Sequence, residues 1–135
     1  MRVVLLSCVK KKLSRPAPAA ELYCSPLFRL ALRYARSLKP DKIFVLSAKY
    51  GLVSIDEVID PYEVTLNNMS MAAVRVWSDK VFADLSKQVD VSSDEFIFLA
   101  GSRYRKFLVP RLKHVQVPLQ GLGIGKQLGW LSKHG

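Results

Sequence analysis

Four short apolar runs punctuate the chain: Arg2 to Leu6 (RVVLL), Lys42 to Leu46 (KIFVL), Glu95 to Ala100 (EFIFLA) and His114 to Pro118 (HVQVP). The first three are continuous rather than alternating, the pattern of strands covered on both faces. The fourth is shorter, and Pro118 suits an edge strand able to run in either direction. Between the runs the apolar spacing becomes helical. Ser25-Pro26 supplies a capping hydroxyl followed by proline at the first helical position, where a missing N–H costs nothing. A helix from Pro26 to about Leu38 then aligns Leu27, Phe28, Ala31, Ala35 and Leu38 on one face. Asn67 to Ser70 caps a second helix, Met71 to about Gln88, whose stripe is Val74, Trp77, Val81 and Leu85. Residues 19–23 read as a short turn or helical piece, Pro110 breaks a short helix after the third run, and a last helix continues to about Ser132. Strands alternating with helices predict one α/β domain over residues 1–135. Its expected form is three layers, with a mostly parallel four-stranded sheet flanked by helices and joined by right-handed crossovers.

Parallel sheets open their ligand sites outside the carboxyl ends of the strands, so the residues after each run are the candidates for chemistry. The first run ends in Ser7-Cys8 and then Lys10-Lys11-Lys12. Ammonium groups favour a nearby thiolate, which makes Cys8 a candidate nucleophile; the competing reading is a small buried hydrophobe. The second gives way to Ser47-Ala48-Lys49-Tyr50-Gly51, a polar, flexible turn, followed by Asp56 and Asp60-Pro61-Tyr62. Pro61 bars a helix and biases Asp60 toward an extended conformation, placing both carboxylates on a shaped loop. The third leads into Gly101-Ser102-Arg103-Tyr104, where a hydroxyl and helix-opening N–H groups offer an anion cradle and Arg103 and Tyr104 offer a phosphate contact or a stacking face. The fourth leads into Gly121, Gly123, Gly125 and Lys126. This is neither a phosphate-binding Walker loop, since Gln120 and Gln127 stand where Gly and Ser or Thr are needed, nor a GxGxxG dinucleotide motif. A close backbone approach to a ligand and a tight strand-to-helix turn both remain open. Parallel strands would gather all four segments into one pocket, with Lys49 to Tyr62 as a wall; an antiparallel strand would remove its own loop from the group.

With 135 residues, 50% of them hydrophobic, the chain can bury one core without disulfide or metal support. No apolar run approaches the roughly 20 residues of a spanning helix, which gives a cytoplasmic protein without membrane contact. Cys8 and Cys24 lack metal-ligand spacing and His114 and His134 lack partners, so no metal or cofactor is expected. The net charge is +10, and it is segregated. Residues 1–50 carry eleven basic and two acidic side chains, residues 51–99 three and nine, and residues 100–135 seven and none. Bringing the two ends together would create the positive face of a polyanion binder, to which Lys10, Lys12, Lys49, Arg103 and Lys126 would contribute. Arg29, Arg33 and Arg36 share another helix face at i, i+4 and i+7; like charges so aligned repel, and they call for an anionic neighbour or for solvation.

The run LSAKYGLVSIDEVIDPYEVTL resembles the L-S-x-x-Y-G…P-Y segment of the YaaA family of bacterial peroxide-stress proteins, and LLSCVKKK is similar to that family's strand-then-Ser-x-x-Lys start. Over its whole length the chain more closely resembles a family of small uncharacterised bacterial and phage proteins. The shared features are a strand ending in Cys and lysines, an A-x-x-LY-S-x-x-F segment (here Ala19 to Phe28), the LSA…GL…PY segment, and a closing glycine-rich run (here Pro118 to Leu128). The YaaA resemblance implies DNA binding and protection of DNA under oxidative stress. The reading that joins these threads is a nucleic-acid-binding α/β protein, DNA or RNA, acting as an enzyme on a base, nucleoside or nucleotide. N-glycosidic cleavage is the representative chemistry: Asp56 or Asp60 would steer water or stabilise the transition state, Tyr50 or Tyr62 would stack on an extruded base, and Lys49 would hold phosphate. The alternatives are a non-catalytic DNA- or RNA-binding stress-response module, and a small-nucleotide hydrolase or transferase in which Cys8 or the lysines meet a phosphate.

Overall fold

The computed structural model describes residues 1–135. In chain order the elements are β1 (Arg2–Ser7), β2 (Ala17–Pro18), α1 (Ala19–Leu22), α2 (Pro26–Ser37), β3 (Lys42–Ser47), β4 (Gly51–Ser54), β5 (Val58–Ile59), α3 (Met71–Ser86), β6 (Glu95–Leu99), α4 (Ser102–Arg105), β7 (His114–Gln116) and α5 (Ile124–His134). Five strands form the main sheet in the order β4-β3-β1-β6-β7. β1 lies at its centre, parallel to β3 and to β6, and β7 is a parallel edge strand beside β6. Central placement explains the continuous apolar run: Val3, Val4, Leu5 and Leu6 are all fully buried, because helices cover both faces of the sheet.

The helices start as their sequences dictate. Ser25 Oγ accepts from Phe28 N–H ahead of Pro26, and Ser70 Oγ accepts from Ala73 N–H. From β1 the chain crosses to β3 on one side, and the next parallel strand, β6, lies on the other side of β1. With right-handed crossovers, this reversal puts α2 on one face and α3 on the other. α5 returns to pack on α2, where Tyr34 meets Trp130 edge-on with ring centroids 4.9 Å apart. The four anticipated strands are the four parallel ones.

The fifth strand corrects the reading of the segment after β3. Ser47 to Gly51 is a tight hairpin turn rather than an open loop: Tyr50 N–H donates to Ser47 Oγ at 3.0 Å, and β4 runs antiparallel to β3. Gly51 makes the reversal with φ of +77°, a conformation that disfavours a side chain. The run of apolar residues was too short and too close to its partner to stand out as a strand. β4 carries the chain back to the amino end of the sheet, and β5 returns it by pairing with β2.

Candidate functional site

The parallel strands follow the spatial order second, first, third, fourth, so the winding reverses between β1 and β6. Doubly wound sheets bind ligands at such a reversal, outside the carboxyl ends of the two strands. A cleft of about 460 Å³ opens there, within the range of small-molecule sites. Ser7 and Cys8 come from the end of β1, Ala100 to Arg105 from the end of β6, Val117, Leu119, Gly121 and Leu122 from the turn after β7, and Ile124 and Gln127 from the start of α5; Leu27, Phe28 and Ala31 of α2 form an apolar wall. Three of the four segments expected to converge do so. No carboxylate and no imidazole lines the cleft.

Cys8 sits half-buried beside β3, with its N–H donating to Leu46 O at 3.1 Å. Its thiol donates to the Tyr104 hydroxyl at 3.4 Å, and Leu66 N–H donates to the same oxygen at 3.4 Å. Behind the thiol lies a hydroxyl chain. Tyr23 and Tyr62 share a hydrogen bond of 2.6 Å, and Ser47 Oγ donates to the Tyr62 oxygen at 2.8 Å. Lys12 joins this group: its ammonium lies 4.4 Å from the centre of the Tyr62 ring, a cation–π contact. Burial lowers the Lys12 pKa, partly offset by the attraction of Cys8 and Glu63. Burial pushes Tyr23 and Tyr104 up to about 12, with Cys8 adding to the effect on both, and it raises Tyr62 further. All three phenols are therefore neutral hydrogen-bonding groups at physiological pH.

The remaining expected site residues are dispersed. Lys49 is exposed on the hairpin turn over its own neighbour, 5.3 Å from the Tyr50 ring centre, and Tyr50 packs edge-on to Tyr62; neither lines the cleft. Asp56 is exposed at the amino end of β3, near Asp41 and Lys42, because antiparallel β4 takes it away from the carboxyl ends. Asp60 is exposed and outside the cleft, while Tyr62, two residues on, is buried in the hydroxyl chain rather than displayed for stacking. Tyr104 is likewise no surface platform, since it packs edge-on to Trp77 at 5.7 Å. Arg103 borders the cleft with one guanidinium nitrogen donating to Met69 O at 3.0 Å. Gly101 and Ser102 border it too, but α4 is a single turn and a weak anion cradle.

In the glycine run, Gly121 turns the chain with φ of +83°, whereas a Cβ at Gly123 or Gly125 would meet open space. Gly121 supports the tight-turn reading, and the other two are exposed and lie outside the cleft lining. Lys126 is exposed on the first turn of α5, and Lys10 is exposed after β1. On α2, Arg29 and Arg36 are exposed, and Arg33 reaches the last carbonyls of α5, Leu131 and Ser132, at 3.5 Å. Those carbonyls form the negative end of a helix dipole, so Arg33 has a structural partner and the stripe is no uniform phosphate track.

The amino edge of the sheet mixes both signs of charge, with Arg2 and Lys42 at the starts of β1 and β3. Asp41, Asp56, Asp90, Asp94 and Glu95 lie at the amino edge, and two of the three ion pairs, Met1–Asp94 and Arg2–Glu95, lie there as well. No group of His, Cys, Asp and Glu side chains is arranged to hold a metal, and no helix is long and apolar enough to cross a membrane. Sequence reasoning missed Tyr23 and Ser47 as parts of the hydroxyl chain, and it missed the cations Arg105, which lines the cleft, and Lys106 next to it. The last two were legible in the run Arg103-Tyr104-Arg105-Lys106; Tyr23 was not, since its partner is 39 residues away. The sequence model of a family described as "Family of unknown function (DUF6884)" matches residues 3–133. No curated protein and no solved structure matches.

Proposed function

The chain belongs to the DUF6884 family, and we propose that it is a nucleic-acid-binding α/β protein that acts as an enzyme on a base, nucleoside or nucleotide, with Cys8 as the nucleophile. The observation that carries this reading is the cleft at the winding reversal, which combines a thiol, an apolar wall and the arginines of α4. A base fits the apolar wall, and a phosphate fits the rim. The carboxylates Asp56 and Asp60 stand outside the cleft, so N-glycosidic or related chemistry here would run through sulfur. The Cys8 sulfur bonds to the electrophilic centre as the leaving group departs with the thiol proton, and water then releases the product and restores the thiol. The Tyr104 hydroxyl touches the sulfur and orients it.

The test is alkylation of Cys8 by iodoacetamide, followed by mass spectrometry of its peptide, with and without nucleoside monophosphates. Protection in the order of nucleotide affinity is expected, together with loss of turnover in Cys8→Ala and its retention in Asp60→Asn. Absence of protection by every nucleotide would remove the reading. A non-catalytic nucleic-acid-binding module is the second reading, favoured by the lack of any carboxylate or imidazole around the cleft. It requires Cys8→Ala to bind nucleic acid as the parent does and no nucleotide to be turned over.

A further inference from the structure

On the outer side of α4 lies a second concavity, an open groove of about 530 Å³ bordered by Arg103, Arg105, Lys106, Val109, Pro110 and Gln120. Ser102, Arg103, Arg105 and Val117 border both spaces, so the groove and the cleft share a rim. Three cations and no carboxylate line the groove, and none of the three takes part in an ion pair. Two of them are held in place. Arg105 donates to Ala100 O at 2.7 Å and Arg103 to Met69 O at 3.0 Å. A carbonyl fixes a guanidinium without neutralising it, so each fork keeps its full charge and further N–H donors for an anion.

We infer that the substrate is a nucleotide carried within a single strand of nucleic acid: the cleft takes one unstacked nucleotide while the groove takes the phosphodiester chain beside it. The inference rests on the base-directed reading above and adds its substrate class. A free nucleotide would bring its phosphate to the shared rim and leave Lys106, the one cation that borders the groove alone, without a function; a continuing strand supplies phosphates to both. The recessed shape favours a single strand, because a base in a duplex reaches such a space only after losing its pairing and stacking. An acidic peptide matches the groove's charge but offers nothing to the cleft's apolar wall, whereas a strand presents apolar base faces and anionic phosphates in alternation.

The experiment pairs fluorescence anisotropy with Cys8 alkylation, using thymidine monophosphate, a labelled oligothymidylate or oligouridylate of about twelve nucleotides, the corresponding duplex, and polyglutamate. The single strand is expected to bind at least about tenfold more tightly than the monophosphate and to protect Cys8. Lys106→Glu, at an exposed position, should weaken strand binding about tenfold and reduce the salt slope by about 1, with protection by the monophosphate unchanged. Arg105→Gln, at the rim shared with the cleft, should weaken strand binding and protection by the monophosphate together. Equal affinity for strand and monophosphate, equal competition by duplex or polyglutamate, or a parental salt slope in both variants would each overturn the inference. Monophosphate protection without strand preference leaves the base-directed reading intact, whereas protection by no nucleotide removes both.

Discussion

Replacing Tyr62 by Phe would delete one oxygen from the centre of the hydroxyl chain and leave the surrounding packing in place. The ring would still lie beneath the Lys12 ammonium at 4.4 Å and edge-on to Tyr50 at 5.5 Å. What is lost is the 2.6 Å bond to Tyr23 and the 2.8 Å bond from Ser47. Ser47 still accepts from the N–H of Tyr50 but its own O–H loses its acceptor, and Tyr23, only 1% exposed, loses its close partner. An unsatisfied buried hydroxyl costs about 1–3 kcal/mol, so Tyr62→Phe should destabilise by about 2 kcal/mol. For a chain of this size that lowers Tm by about 8 °C. Tyr23→Phe removes one bond and leaves Tyr62 paired with Ser47, at a cost of about 1 kcal/mol. The double variant removes both members of the Tyr23–Tyr62 bond, so its cost should fall about 1 kcal/mol short of the sum. Denaturant unfolding of the four proteins, at unchanged m-value, measures the cycle. Additivity, or a Tyr62→Phe midpoint equal to the parent's, would refute the claim that this chain is one coupled unit.

Alkali probes the same cluster. Tyr23 and Tyr104 have pKa values near 12 when folded, against about 10 when unfolded. The raised values mean that their contribution to stability is complete below about pH 10 and is lost as pH climbs from about 10 to 12. Tyrosinate absorbance should therefore show these phenols ionising late and together with unfolding; five phenols titrating near pH 10 in a folded protein would contradict it. Gly51→Ala should cost about 1–2 kcal/mol through backbone strain, read as a lower denaturant midpoint. Its Cβ would meet Val81 Cγ2 at an ordinary 3.7 Å, so strain rather than a clash is responsible. Gly51→Asn should cost less, since asparagine enters the left-handed region more readily.

The sequence by itself determined the layered frame. Continuous apolar runs can satisfy their burial only inside a covered sheet, and Ser25-Pro26 and Ser70 cap helices through bonds within three residues, so these features are local and legible. Parallel strands also put Ser7-Cys8 and Gly101-Ser102 on one edge, whereas the fourth run suited either direction, and only its parallel pairing with β6 brings the Gly121 turn to the same edge. Direction was the part the sequence did not encode. Gly51-Leu52-Val53-Ser54 is equally compatible with a loop or an edge strand, and pairing with β3 rather than propensity decides the matter. That one antiparallel pairing carries Asp56 to the opposite end of the sheet, and β5 then brings back Tyr62. The partnerships of Cys8 with Tyr104, 96 residues away, and of Tyr23 with Tyr62 were decided by the tertiary structure alone. No periodicity records such contacts; they exist because the strand ends meet at the winding reversal, where buried hydroxyls must find partners among whatever side chains the fold delivers.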